Sequence, residues 1–278
     1  MAETMISFVT RRWIATAVLV LLAVLLVVNY GRYAPAIHRL PYFSGWLLFL
    51  LMLVLAAYNV RKKLPFLPLG TSESWLGFHV YAGYLTIVLF LLHLGFKRPT
   101  GWFEGSLVWL YVLVTVSGII GLIISRTFPK RLTTRGGETI YGLIPTVRRS
   151  LKEQTETLAL KSVPEAQSTT IADFYVKHLR DFFDGPKNLL LHILEVRRPL
   201  NTLLDKIHDL SRFLNEEERA TLNRIADFVR QKDALDYQLA LQLALRLWLF
   251  VHIPFTYSLL VFSMVHMVLV YAFSGGAK

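Results

Sequence analysis

The stretch HIPFTYSLLVFSMVH, residues 252–266, has a histidine at each end of an apolar run. A second stretch, HVYAGYLTIVLFLLH, residues 79–93, has the same spacing in another apolar run. Burying a titratable ring in a membrane span is costly, and histidines found there usually serve a function. The two stretches therefore predict membrane helices that carry paired functional histidines.

The apolar residues are concentrated in five runs rather than spread along the chain, and they make up 54% of it. Each run is close to the roughly 20 residues with which an α-helix crosses a bilayer. Helices satisfy their own backbone polar groups in lipid, and the strict alternation of a barrel strand is absent. We predict an all-α integral membrane protein with five spans, at residues 14–28, 43–58, 76–96, 107–124 and 247–273.

The spans divide the chain into four predicted regions. Residues 1–42 form a retained N-terminal anchor helix and a first external loop, and residues 43–125 hold spans two to four. Residues 126–242 show apolar positions at three- and four-residue spacing, which predicts a helical insertion, and residues 243–278 hold span five. Gly185-Pro186 predicts a helix break inside the insertion, and Asn215 before three glutamates predicts a helix start. No G-x-G-x-x-G or P-loop motif occurs there, so no flavin or nicotinamide site is predicted.

Basic residues beside the spans predict the orientation. Of the net charge of +11, residues 126–242 contribute only +3, so the charge reflects topology and does not indicate nucleic-acid binding. One side collects Arg11, Arg12, Arg61, Lys62, Lys63, Arg126, Lys130, Arg131 and Arg135, and the other collects Arg32, Arg39, Lys97, Arg98 and Lys278. The positive-inside rule then predicts a cytoplasmic N-terminus and insertion and an external C-terminus. We expect a bacterial inner membrane.

The absence of cysteine limits the possible redox centres. It excludes disulfides, cysteine-bound iron–sulfur clusters and covalently attached c-type haem. A redox centre in this chain would need histidine, methionine or oxygen ligands.

The histidine spacing suggests such a centre. Fourteen residues of α-helix rise about 21 Å in almost four turns, so both rings of a span project from nearly one face. Under the predicted topology both spans run the same way, which would place His79 level with His252, and His93 level with His266. Two helices that flank a planar haem can each supply one axial nitrogen. The pattern predicts two bis-histidine b-type haems about 20 Å apart by the same rise.

Other roles for intramembrane histidines remain open. Such a residue can form an interhelical hydrogen bond or belong to a proton path. The span interiors contain no carboxylate, which disfavours a proton path of the usual kind. His178 and His192 are also fourteen residues apart, but Gly185-Pro186 lies between them, and we interpret that pair as coincidence. His38 and His208 are predicted to be surface residues.

Five further residues are candidates for contact with a cofactor. Gly83 and Gly118 would let a porphyrin approach the backbone, although ordinary small-residue helix packing explains them equally well. Arg246 lies less than two turns before His252 and is a candidate partner for haem propionates, with snorkelling to the lipid surface as the alternative. Lys97 and Arg98 are the corresponding candidates near His93.

The four histidines and the topology resemble those of membrane dihaem b-type cytochromes. The resemblance covers residues 43–124 and 247–273, and it extends to two groups. One is the cytochrome b of quinol–cytochrome c oxidoreductases, and the other is the ferric-reductase-like family that includes the NADPH oxidases. It implies that His79 and His252 bind an inner haem and that His93 and His266 bind an outer one. The sequence departs from these groups in having five spans, no Pro-Glu-Trp-Tyr motif, and the insertion at 126–242.

These observations lead to one expected function and two alternatives. The expected function is an electron-transfer subunit of a membrane oxidoreductase complex, which links a quinone pool or a cytoplasmic donor to a partner redox subunit. Its expected partners are other redox subunits, membrane lipid and a quinone. One alternative is a self-contained quinol-dependent reductase of ferric ion or oxygen at the outer haem. The other is a histidine-based proton or metal transporter without redox chemistry.

Overall fold

The computed structural model describes residues 8–33, 40–63, 71–99, 101–134, 139–166 and 169–274. Throughout these residues every regular element is a helix, which confirms the prediction of an all-α protein. His38, Arg39, Arg135 and Lys278 lie outside the described residues, as do the side chains of residues 61–63.

Ten α-helices follow one another in the described part of the chain. They are α1 (Phe8–Tyr33), α2 (Leu40–Lys63), α3 (Ser72–Leu94), α4 (Trp102–Thr134), α5 (Ile144–Ala166), α6 (Thr170–Phe174), α7 (Arg180–Phe183), α8 (Leu189–Ile193), α9 (Arg198–Ser211) and α10 (Glu216–Ser274). A 3₁₀ turn covers Tyr141–Leu143, and a π-helical turn covers Tyr175–Leu179.

Five of these helices are long and apolar enough to cross a membrane, as predicted. They are α1 to α4 and α10, and the mean hydropathy of their most apolar stretches lies between 1.7 and 2.5. Large apolar side chains point outward from them, such as Leu21, which is 59% exposed, and Val261, which is 60% exposed. A water-soluble protein rarely exposes so much contiguous apolar surface, so these faces are suited to lipid.

The chain forms two compact units. The first comprises Met1–Leu122 and Leu249–Lys278, and the second comprises Ile123–Trp248. Helices α4 and α10 each contribute to both. The insertion predicted at residues 126–242 falls within the second unit, and its exact limits stay a prediction.

In the first unit, α1 and α2 both pack against α3. Side chains from α2, α3, α4 and α10 form its buried centre, which consists of Leu48, Phe49, Met52, Leu89, Tyr111 and Leu259. Helix α3, which carries His79 and His93, has a defined start and end. The side chain of Thr71 accepts a hydrogen bond from the backbone N–H of Ser74 at 3.2 Å, and Gly95 ends the helix in the left-handed conformation at φ 61°.

The second unit has its own apolar core. Residues from α5 to α7, α9 and α10 fill it, including Ile144, Leu179, Phe183, Leu222, Ile225 and Val229, all at most 1% exposed. The predicted break at Gly185-Pro186 is confirmed, since α7 ends at Phe183 and α8 begins at Leu189.

The predicted helix start at Asn215 is also confirmed. Its side-chain oxygen accepts from the backbone N–H of Glu218 at 2.8 Å, and the Glu218 carboxylate accepts from the backbone N–H of Asn215 at 3.1 Å. This reciprocal pair is a capping box. The helix that it begins then continues without interruption to Ser274. The boundary placed at residue 243 falls inside this helix.

Candidate functional site

Two cavities in the first unit are each lined by one predicted pair of histidines. His93 of α3 and His266 of α10 line a cavity of about 520 Å³. His79 of α3 and His252 of α10 line a second cavity of about 130 Å³. The pairing predicted from the fourteen-residue spacing is therefore the pairing that the fold produces. We refer to them as the His93–His266 cavity and the His79–His252 cavity.

The imidazoles of the larger cavity are spaced as two ligands of one metal ion would be. The ring centroids of His93 and His266 lie 6.4 Å apart, and the ring planes meet at 88°. Two metal–nitrogen bonds of about 2 Å each, plus about 1 Å from each nitrogen to its ring centre, give a separation of about 6 Å. His266 also lies 6.5 Å from the ring of Phe103, at an angle of 27°.

The hydrogen bonds of His93 determine which of its nitrogens carries the proton. Its Nδ1 lies 3.1 Å from the carbonyl oxygen of Pro41 and 3.2 Å from the hydroxyl oxygen of Ser44. A carbonyl oxygen only accepts, so Nδ1 carries the proton and donates. The Ser44 hydroxyl itself donates to the Pro41 carbonyl at 3.0 Å. Nε2 of His93 therefore carries the lone pair that a metal requires.

His252 contacts a second serine. Its Nδ1 lies 2.7 Å from the hydroxyl oxygen of Ser117, and that hydroxyl donates its one proton to the carbonyl of Val114 at 2.9 Å. In the tautomer with the proton on Nδ1, His252 donates to this serine, and Nε2 carries the lone pair.

His79 follows the same rule through a backbone group. Its Nδ1 lies 3.2 Å from the carbonyl oxygen of Leu55 in α2, which again fixes the proton on Nδ1. Metal-binding histidines usually donate their second ring nitrogen to such a carbonyl or polar group, which fixes the ring orientation and raises its basicity. Three of the four histidines thus show the hydrogen bonding that is typical of metal ligands.

Two glycines lie directly against the histidine rings. A Cβ atom added to Gly45 would lie 2.9 Å from Cε1 of His93, and one added to Gly118 would lie 3.6 Å from Cε1 of His252. Gly45 and Gly118 each follow the serine that accepts from the same histidine. The two Ser-Gly dipeptides, Ser44-Gly45 in α2 and Ser117-Gly118 in α4, therefore make matching contacts with His93 and His252.

Sequence reasoning missed Ser44, Gly45 and Ser117. A usable signal was present, because a Ser-Gly dipeptide occurs in both span two and span four. Neither of these spans carries one of the paired histidines.

The remaining predicted site residues differ in whether they line a cavity. Gly83 and Gly118 both line the His79–His252 cavity, and no atom lies within 4 Å of the position where a Cβ of Gly83 would stand. Lys97 and Arg98 line the His93–His266 cavity, where they were predicted to face propionates. Arg246 belongs to the second unit, where its guanidinium lies 3.9 Å from the ring centre of Tyr141. Its predicted role at a haem stays a prediction.

Three residues line both cavities and so form the wall between them: Met52, Tyr111 and Leu259. The Tyr111 hydroxyl donates to the hydroxyl oxygen of Thr86 at 3.0 Å, and Thr86 donates onward to the carbonyl of Gly83 at 2.7 Å. The Tyr111 ring stacks on Phe90 with a centroid distance of 3.9 Å. These contacts hold the wall in place.

Three histidines of the second unit belong to neither cavity. His178 lies on the π-helical turn and His192 on α8, on opposite sides of the break at residues 184–188, so no single helix carries both. Burial lowers the pKa of His178, and the charges of Lys206 and Lys177 lower it further. His208 is exposed on α9, as predicted.

The two cavities differ in how well they match a haem. Pockets for ligands of this size usually have volumes of about 300–1,000 Å³, a range that includes the His93–His266 cavity. The His79–His252 cavity is smaller, so its donors fit a haem but its lining would have to move apart to admit one. Among the described residues no group of three or more histidines, cysteines or carboxylates is placed to bind a metal ion.

Searches of protein-family models, of curated proteins and of solved structures found no match to this chain.

Proposed function

We propose that this chain is a dihaem b-type cytochrome subunit that carries electrons across a membrane. One observation carries the proposal: four intramembrane histidines from two helices line two cavities in pairs. Helix α3 and helix α10 each supply one member of each pair. Each pair would hold one haem through its two imidazoles.

The hydrogen bonding of the histidines supports the same function. Backbone carbonyls fix Nδ1 of His79 and His93 as the protonated nitrogen and leave the lone pair on Nε2, and Ser117 accepts from Nδ1 of His252 when that ring is in the same tautomer. A neutral imidazole in this tautomer is a good ligand for haem iron. Haem, when bound, supplies reversible one-electron chemistry.

The protein residues would bind, orient and separate the two cofactors. His79 with His252 and His93 with His266 would hold the two haems, and the fourteen-residue spacing would set the two histidines of each helix about 21 Å apart. Lys97 and Arg98 offer positive charge for propionates at the His93–His266 cavity. Met52, Tyr111 and Leu259 would exclude water from the space between the two sites.

The donor and the acceptor are proposed from the chemistry that the chain lacks. The described residues contain no flavin-binding motif and the sequence has no cysteine, so electrons would arrive from a quinol or a cytoplasmic donor and leave to a partner redox subunit. The proposed setting is a redox complex of a bacterial inner membrane, with the N-terminus and the insertion in the cytoplasm.

Electron transfer across a vesicle membrane tests the proposal. The purified chain is reconstituted into lipid vesicles that contain ferricyanide, and a short-chain quinol is added outside. We expect the wild type to reduce the trapped ferricyanide. His93→Ala and His252→Ala should each abolish this transfer, because each removes one ligand from a different cavity.

His208→Ala is the matched control, since His208 is an exposed histidine of the second unit and should not matter. Wild-type vesicles that bind haem and transfer no electrons with this quinol, or with dithionite as a stronger donor, would contradict the proposed electron path. Proton or metal uptake by chain that binds no haem would favour the transporter alternative. Reduction of ferric ion or oxygen without a partner would favour the self-contained reductase.

A further inference from the structure

Two Ser-Gly dipeptides contact one histidine each, although they lie on different helices. Ser44 and Gly45 of α2 contact His93 of α3, and Ser117 and Gly118 of α4 contact His252 of α10. In both cases the serine hydroxyl donates back to a carbonyl three residues earlier in its own helix. Its oxygen is thereby left to accept from Nδ1 of the histidine.

We propose that these two dipeptides are positioning sites that orient one axial ligand of each haem and lower the reduction potential of that haem. The inference rests on the proposed function and assigns roles to Ser44, Gly45, Ser117 and Gly118 within it. None of the four would touch the iron. Each acts through the histidine that it contacts.

Each serine adds an accepting oxygen beside Nδ1 and helps to orient the ring, although at His93 the Pro41 carbonyl already fixes the proton on Nδ1. With its own O–H directed at the backbone carbonyl of Pro41 or Val114, its oxygen accepts from Nδ1–H. A serine placed mid-helix often makes such a bond to its own backbone. Here that bond has a second consequence, since it gives the hydroxyl oxygen a fixed direction.

The glycine lets the ring lie against the helix backbone. At Gly45 an added methyl group would be 2.9 Å from Cε1 and 3.3 Å from Nδ1 of His93, which is closer than van der Waals contact allows. At Gly118 the corresponding distance to Cε1 of His252 is 3.6 Å, an ordinary contact. The fit at His93 is therefore the tighter of the two.

The electronic effect follows from the direction of the hydrogen bond. An imidazole that donates from Nδ1 becomes a stronger electron donor at Nε2, and a stronger donor favours ferric over ferrous iron. Removing the serine should therefore raise the reduction potential, and the rise should be larger at His252 than at His93, where the Pro41 carbonyl remains as an acceptor. If the protein loses tenfold in its affinity for ferric haem relative to ferrous haem, the one-electron reduction potential rises by about 59 mV.

Single-haem backgrounds allow each serine to be tested separately. In His252→Ala protein the haem of the His93–His266 cavity remains, and in His93→Ala protein the haem of the His79–His252 cavity remains. Redox titration then compares His252→Ala with His252→Ala/Ser44→Ala, and His93→Ala with His93→Ala/Ser117→Ala. We expect each serine substitution to raise the midpoint potential of the remaining haem and to broaden its low-spin electron paramagnetic resonance signal.

Two controls separate a positioning role from a loss of packing. Ser106 of α4 also donates to a carbonyl of its own helix, that of Trp102 at 2.9 Å, but lines neither cavity, so Ser106→Ala should leave both potentials unchanged. Ser117→Thr keeps the hydroxyl and should restore the potential that Ser117→Ala changes. If a double variant does not fold, the same redox titrations are made on Ser44→Ala and Ser117→Ala in otherwise wild-type protein.

The outcomes distinguish this inference from the function on which it rests. Wild-type chain that is folded and binds no haem would overturn both. Two haems in the wild type, with potentials that neither Ser44→Ala nor Ser117→Ala raises, would overturn the positioning role alone.

Discussion

Gly45→Ala should remove one haem while leaving the fold intact. The added methyl carbon would lie 2.9 Å from Cε1 of His93. Non-bonded carbons are most stable at about 3.5–4.0 Å, so the ring has to retreat by about 0.6 Å or more. Metal–ligand distances in proteins hold to within about 0.2 Å. The required displacement is about three times that tolerance, so the substitution should weaken the iron bond of His93.

Gly45→Ala should lower the unfolding free energy only modestly. Overpacking in a well-packed interior costs about 1–3 kcal/mol, and the hydrogen bonds of Nδ1 to Pro41 and Ser44 would lengthen from 3.1 Å and 3.2 Å. Alanine in place of a mid-helix glycine recovers about 1 kcal/mol of helix propensity. The net loss of unfolding free energy is then expected to be at most about 2 kcal/mol.

Haem stoichiometry by the pyridine haemochrome method, with thermal unfolding in detergent, measures both effects. Gly77→Ala is the matched control, because Gly77 is a glycine of α3 with no atom within 4 Å of the added position. We expect two haems per chain in the wild type and in Gly77→Ala, and one in Gly45→Ala. Two haems with unchanged potentials in Gly45→Ala would refute the reasoning.

Three further predictions concern stability. Tyr111→Phe removes the hydrogen bond to Thr86 and should lower the unfolding free energy by about 1 kcal/mol, measured by denaturant titration in detergent, with both haems retained. Asn215→Ala removes the N-cap of α10 and should lower the unfolding free energy by about 1 kcal/mol in the same assay. Asn215→Asp keeps the accepting oxygen and should lower it little. Equal losses of unfolding free energy in the two variants would contradict the capping role. The hydrogen bond and charge of Lys152 hold the pKa of Asp184 below its usual 3.8. This ion pair should therefore stabilise the folded protein above pH 3.8. Its stabilising effect should be lost as the pH falls through the lowered pKa. Asp184→Asn should therefore be less stable than the wild type at neutral pH, and the two curves should converge in acid; a constant difference at all pH values would argue against the pair.

The histidine pairing was predictable because it depends on local geometry. Fourteen residues bring the helix back to nearly the same face, so a continuous helix and a parallel neighbour suffice to place four rings in two pairs. The break at Gly185-Pro186 and the cap at Asn215 were predictable for the same reason. Each depends on residues within a few positions of one another.

The Ser-Gly contacts were not predicted because they join distant segments. Ser44 and His93 are 49 residues apart, and Ser117 and His252 are 135 apart. Helix spacing alone does not reveal which face of α2 or α4 meets which ring. The length of α10 was also missed, although the absence of glycine and proline between residues 216 and 253 would have indicated it.

The most direct measurement is the haem content of purified wild-type, His93→Ala and His252→Ala protein, by pyridine haemochrome and dithionite-reduced minus oxidised spectra. The account predicts two b-type haems per wild-type chain and one in each variant, with different spectra for the two that remain. Folded wild-type protein without haem, or variants that keep both haems, would contradict it.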